Sequence, residues 1–216
     1  MKKDSNLEIT SYEPLELFTS LISRYSNSNT QITESTENLR HYYSGSGRYY
    51  HNLSHLSHML CEYKDIKDKV NNKAAFLFAL FYHDIIYDVK KNDNEAKSAL
   101  FMESVLKNTL FSDIELCKSL ILATQDHRTS SNEDINLFLD TDMSILGKNT
   151  QTYTEYAEQV RKEFSIFPNF LYNKGRIKVL RSFLKQNQIF KTGIFRKKYE
   201  QNARKNISSE IDRLLL

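Results

Sequence analysis

At 216 residues with 40% hydrophobic side chains, the chain is long enough for one large domain and too apolar to be disordered throughout. Five Gly and two Pro leave little punctuation for β-hairpins, while 13 Phe and 13 Tyr supply core volume without any Trp. Thirty Lys and Arg against 27 Asp and Glu give a formal charge of +3, which by itself implies no polyanionic partner.

The pattern predicts an all-α, single-domain helical bundle over 1–216, with 1–13 disordered. Leu15, Phe18, Leu21 and Ile22 recur at helical spacing after Pro14, which suits a first turn, so a helix is expected over 15–25. The Ser/Asn-rich residues 26–32 read as a connection, STENLRHYY as a short capped helix and SGSGR as a loop. From Leu53 to Val70 the leucines at 53, 56 and 60 form one stripe and leave another side for His51, His55 and His58. KAAFLFALFYHDIIYD, residues 73–88, is apolar nearly all round until His83 and Asp84, the pattern of a buried central helix with a polar end. Amphipathic helices are expected over 93–108 and 112–124. A polar loop around His127 and the run LFLDTDMSILG follow, then helices at about 151–164, 168–187 and 195–215.

Metal-competent side chains stand out at five places, most of them in apolar surroundings: His51 with His55, His83-Asp84, His127, Asp140 and Asp142. Imidazole and carboxylate without cysteine suit Mn, Mg, Fe, Co, Ni or Zn. A lone histidine on an apolar face is more often a hydrogen-bonded core residue. An adjacent His-Asp closing an apolar helix is different, because a buried carboxylate is costly unless a cation compensates it. Cys61 and Cys117 lack a CxxC spacing and no apolar leader or run of about 18 apolar residues is visible, so reduced thiols in a cytoplasmic protein are expected, with no membrane partner.

The blocks RYYHNLSH, FYHDIIYD, DNEAKSA, ATQDHR, LDTDMSILG and GRIKVLRSFL, in this order over roughly residues 40–210, resemble the bacterial group of predicted metal-dependent phosphohydrolases in the HD-domain superfamily. The dipeptide His-Asp alone is a weak signal; the ordered blocks make it a strong one. The resemblance implies four metal ligands, His55, His83, Asp84 and Asp142, holding one or two divalent ions. It implies His51 as general acid and Glu95 as the group that orients or deprotonates the attacking water. Asn52, Asp88 and Asp140 are expected to support the ligands from behind, with Asp140 also the alternative to Asp142 as ligand or a helper of a second ion. Glu95 reads equally well as a first-turn acid complementing a helix dipole.

For substrate phosphate, the expected contacts are Arg48 and Arg176, whose guanidinium groups suit bidentate phosphate binding, together with Lys178 and His127, the last read also as holding a second metal. Most of the basic run from Lys174 to Lys198 reads instead as the solvated faces of two helices. His58 has no counterpart in the resemblance and is read as a bystander. The implied activity is hydrolysis of a small phosphate ester, with a nucleotide as the family-level substrate, by metal-activated water. A homodimer is the guess for assembly, and nucleic acid is not the expected partner. Two other readings use the same residues: a di-iron oxygenase of the HD type, which requires further histidines, and a non-catalytic module binding nucleotides or nucleic acid through its basic C-terminal helices.

Overall fold

The computed structural model describes residue 9 and residues 11–216, so most of the segment expected to be disordered, 1–8 and residue 10, lies outside the described residues. Among the described residues the secondary structure is entirely helical. Ten α-helices follow in order: α1 Pro14–Ser23, α2 Asn29–Tyr43, α3 Leu53–Ile66, α4 Lys73–Tyr82, α5 Asn94–Leu106, α6 Ile114–Ala123, α7 Glu133–Asp142, α8 Thr150–Glu163, α9 Asn169–Leu184 and α10 Gly193–Leu215. A 3-10 turn at Met143–Gly147 joins α7 to α8. The chain divides into two compact units, Met1–Leu139 and Asp140–Leu216, with the break inside α7. No helix among the described residues is long and apolar enough to cross a membrane.

In the first unit α4 is the centre. Every residue from Ala74 to Tyr82 is buried, as its all-round apolar sequence predicts. Asn72 caps its start by accepting from the Ala75 amide, and the buried Asp134 carboxylate accepts from the Asn71 and Asn72 amides. Around α4 the aromatic residues meet mostly edge to face: Phe18 against Phe81 at 5.2 Å, Tyr25 against Phe78 at 5.7 Å, and Phe138 against Phe76 at 5.2 Å. That geometry aligns ring edge with ring face and adds to the area term. The helix is thus wedged from several sides, which fixes where its C-terminal end must lie.

Several boundaries differ from the sequence expectation, α3 and α4 ending earlier at Ile66 and Tyr82 and α7 forming where no helix was expected, and the start of α2 has a clear local reason. α2 begins at Asn29, inside the stretch read as a connection, because the Ser28 hydroxyl accepts from the Gln31 amide and caps it. Ser and Asn favour loops and helix starts alike, so composition does not separate the two.

The second unit is built on α10, which packs along α9 and against the 3-10 turn. Gly147 in that turn is required by close approach: a Cβ there would stand 2.4 Å from Tyr199 Cβ and 2.8 Å from the Tyr199 carbonyl oxygen. Asn206 donates its side-chain amide to the carbonyls of Leu146 and Lys148, at 2.9 and 2.8 Å, tying the same turn to α10. Deeper in, Arg176 pairs with Glu210 at 2.8 Å, and Glu210 also accepts from the Tyr153 hydroxyl.

Candidate metal centre

α4 ends at Tyr82, and His83 is its C-cap, with its amide donating to the Ala79 carbonyl at 2.8 Å. The chain then turns, so His83 and Asp84 leave the helix end where the backbone dipole is negative and a cation is favoured. α3 begins at Leu53, capped by Asn52, whose side-chain oxygen accepts from the Ser54 amide at 2.8 Å. His55 therefore sits in the first turn of α3, while His51 precedes the helix rather than lying one turn back along it. His58 is on the exposed side.

These two segments bring three metal-competent groups together. One donor atom from each of His55, His83 and Asp84 lies within 4.8 Å of the others. The two imidazole Nε2 atoms are 3.1 Å apart, and Asp84 Oδ2 is 3.1 Å from His83 Nε2 and 3.9 Å from His55 Nε2. Both histidines are buried, at 2% and 1% exposure, so solvent does little to screen the cluster. Phe138 stands edge-on to His83 at 6.0 Å and closes one side with an apolar ring.

Tautomer and donor geometry decide what this cluster suits. His83 Nδ1 is 2.9 Å from the Leu80 carbonyl, which can only accept, so Nδ1 carries the proton. A neutral His83 therefore turns the lone pair of Nε2 toward His55 and the Asp84 carboxylate. Electron-rich atoms converging in a buried space call for a positive charge among them, either a proton or a metal ion. A divalent ion about 2.1 Å from each donor spaces them about 3.0 Å apart at right angles and about 3.4 Å apart at tetrahedral angles. The two 3.1 Å separations fall within that range, and the 3.9 Å one, between Asp84 and His55, lies above it. The donor set fits a divalent cation, and the Leu80 contact is the kind of outer hydrogen bond that orients a ligating histidine.

His51 stands beside this cluster, with Nε2 3.9 Å from Asp84 Oδ2. Its ring stacks on Tyr87 at 4.3 Å and meets the edge of Tyr50 at 4.9 Å, so it is held in one plane while its side chain keeps 21% exposure. Tyr87 is a site residue that sequence reasoning missed. Its only signal was an aromatic residue three positions after Asp84.

Arg48 has a different job from the phosphate contact expected of it. Its guanidinium donates to the carbonyls of His51 at 2.9 Å, Asp84 at 2.7 Å and Ile85 at 2.8 Å. It also faces the rings of Tyr43 and Tyr87, at 4.9 and 5.5 Å. Arg48 thus clamps the backbone before α3 to the turn after α4, and holds His51 in register with Asp84. The reason is local: both loops expose carbonyls that no helix satisfies, and one planar fork reaches all three.

The supporting residues divide in the same way. Asn52 caps α3 and donates to the Tyr49 carbonyl at 2.9 Å, so it shapes the loop. Asp88 accepts from the Lys90 amide in an exposed turn, and Asn94 bonds both backbone groups of Asp88. Buried Ser98 does the same for Ile86. The DNEAKSA block therefore holds the segment after His83-Asp84 through Asn94 and Ser98, which sequence reading had passed over. Glu95 lies in the first turn of α5, and it is not part of the cluster found among the described residues. His127 closes α6 in a left-handed conformation, φ 53°, with its amide bonded to the Ala123 carbonyl, so its backbone ends a helix.

Four expected site residues belong to the second unit. The Asp140 carboxylate is engaged within the second unit, accepting from the amides of Lys191 and Thr192, both at 2.7 Å, and from the Thr192 hydroxyl at 2.8 Å. It anchors the start of α10. Burial pushes this carboxyl above its usual value, and the three donors oppose that shift. Arg176 is engaged by Glu210 and the Tyr156 hydroxyl, where the sequence suggested a phosphate contact. Lys178 is exposed on α9, and Asp142 ends α7.

No family model matches the chain, and no curated protein or solved structure matches it at a significant level.

Proposed function

We propose that the protein is a metal-dependent phosphohydrolase whose centre is His55, His83 and Asp84, acting on a small phosphate ester of the nucleotide type. The observation that carries this reading is the convergence of two imidazoles and a carboxylate at ligand spacing, with the proton of His83 directed away toward Leu80. A divalent ion held by His55, His83 and Asp84 would supply Lewis-acid activation of water and of a phosphoryl oxygen. In this reading His51 protonates the departing oxygen, a role supported by its stacking on Tyr87 and its position beside Asp84. The nucleotide preference, Asp142 as a fourth ligand and Glu95 as the water-orienting group come from the sequence resemblance alone and form part of the same proposal.

The test is metal content of the purified protein and of Asp84→Ala, together with phosphate release from phosphomonoesters and nucleotides with Mn or Mg added. Metal bound by the wild type and lost in the variant, with metal-dependent phosphate release, supports the reading. Metal binding with no phosphate release under any ion would leave a metal site and remove the hydrolase. Absence of bound metal under every ion would remove both.

A further inference from the structure

The two units differ in charge far more than the total suggests. Residues 1–139 carry 15 Lys and Arg against 19 Asp and Glu, whereas residues 140–216 carry 15 against 8. The second unit is therefore strongly basic. The excess is concentrated on α9, Asn169–Leu184, which contains no acidic residue. Lys174, Lys178 and Arg181, with Lys185 at the helix C-cap, are all exposed, and none makes an ion pair among the described residues. At 100° per residue they fall within a sector of about 60°, over about 16 Å of helix. Tyr172 and Leu180 are buried on the far side, and Ile177 is buried along one flank of the stripe.

At the head of this stripe the chain exposes apolar side chains. Phe170 is 77% exposed, Ile166 52% and Leu171 47%, in the turn that leads into α9 and in its first residues. Arg161 fixes that turn from beneath by donating to the carbonyls of Phe164 and Phe167 at 2.8 and 2.9 Å. The tip is thus a held, outward-facing apolar projection with a row of cations behind it.

We propose that this face of the second unit docks on an anionic lipid surface, with Ile166, Phe170 and Leu171 entering the headgroup boundary and the α9 cations lying along the charged surface. Exposed apolar residues gain by leaving water there, and each cation near an anionic leaflet adds attraction. A second copy fits this face poorly, because a two-fold pairing would set the basic stripes against each other. A polynucleotide would use the cations and could stack on Phe170, but it offers little to the aliphatic Ile166 and Leu171. The sequence expectation of no membrane partner rested on the lack of a spanning segment, which does not bear on a peripheral contact.

The experiment is sedimentation of the full chain with phosphatidylcholine vesicles, with and without phosphatidylserine, at low and physiological salt. Two variants accompany the wild type: Lys174→Gln with Lys178→Gln, and Phe170→Ser with Leu171→Ser. All four positions are exposed, so circular dichroism should show the native helix content in both. Binding should require phosphatidylserine and weaken with salt. It should fall about fivefold for each cation removed, and at least about tenfold for the apolar pair. Equal binding to both vesicle types, no binding, or variants that bind like the wild type would each overturn the proposal. Preference for a single-stranded oligonucleotide over vesicles would also overturn it and assign the stripe to a polynucleotide.

Discussion

Replacing Arg48 by alanine tests whether the two loops of the candidate centre are held by one side chain. The substitution removes three charge-assisted hydrogen bonds of 2.7–2.9 Å, to the carbonyls of His51, Asp84 and Ile85. Each such bond contributes roughly 1.5–3 kcal/mol when both partners are shielded. Arg48 is only half-buried, so water can enter and satisfy part of what is lost. The expected loss of stability is therefore about 3 kcal/mol rather than the full sum. Because the chain has no Trp, urea unfolding is best followed by circular dichroism, with calorimetric metal titration beside it. Arg48→Lys should fall between wild type and alanine, since an ammonium reaches one or two of the carbonyls without the planar fork. Metal affinity should drop with stability, because Asp84 loses its backbone tether. A loss below about 1 kcal/mol in Arg48→Ala, with unchanged metal affinity, would show that the carbonyls are satisfied by water and that the clamp positions nothing.

Three further outcomes are expected. Gly147→Ala should destabilise the second unit by at least about 2 kcal/mol in urea unfolding, since its Cβ would overlap Tyr199 backbone and side chain; native stability would refute the close approach. Arg176→Met leaves Glu210 as a buried carboxylate without its guanidinium and should cost roughly 3–5 kcal/mol, most of it recovered in the double variant with Glu210→Leu. Two equally damaged proteins would instead show that shape, not charge, is what the pair supplies. Burial pushes the Tyr172 phenol up from 10.0 to about 12. The folded state then keeps a proton that the unfolded chain releases, so this contribution is complete below pH 10 and is lost as pH rises to about 12. Tyr172→Phe should lose less stability than wild type across that window, by roughly 2–3 kcal/mol, and parallel alkaline profiles would contradict the shift.

What could be read from the residues, and what could not, follows from the kind of signal each carries. α4 was legible because a helix with no polar side has nowhere to go but the centre, and His83-Asp84 stood out against it. The convergence of His55 on that pair was anticipated through the resemblance, and the geometry brings the three together. The roles of Arg48 and Asp140 were not legible, because a charged group shows its chemistry in a sequence but not its partner. Arg48 donates to backbone carbonyls, which every residue has. Asp140 accepts from amides 51 and 52 residues further along the chain. The Leu80 carbonyl that sets the His83 tautomer is hidden for the same reason. Asn94 and Ser98 were overlooked because their work is to fold a loop, and small polar residues at a helix start have that use almost everywhere.

Because His83 caps a helix that is buried along nearly its whole length, the centre is fastened to the part of the first unit with the least freedom to open locally. Amides of α4 should exchange with solvent only through large-scale unfolding, and the ligand geometry at its end should persist for as long as they do. An ion that binds there and not to the unfolded chain would then stabilise the whole unit in proportion to the logarithm of its concentration. Occupancy of the centre would thus be readable at a distance, as slower amide exchange in Phe76 and Phe78, residues that never touch the ion.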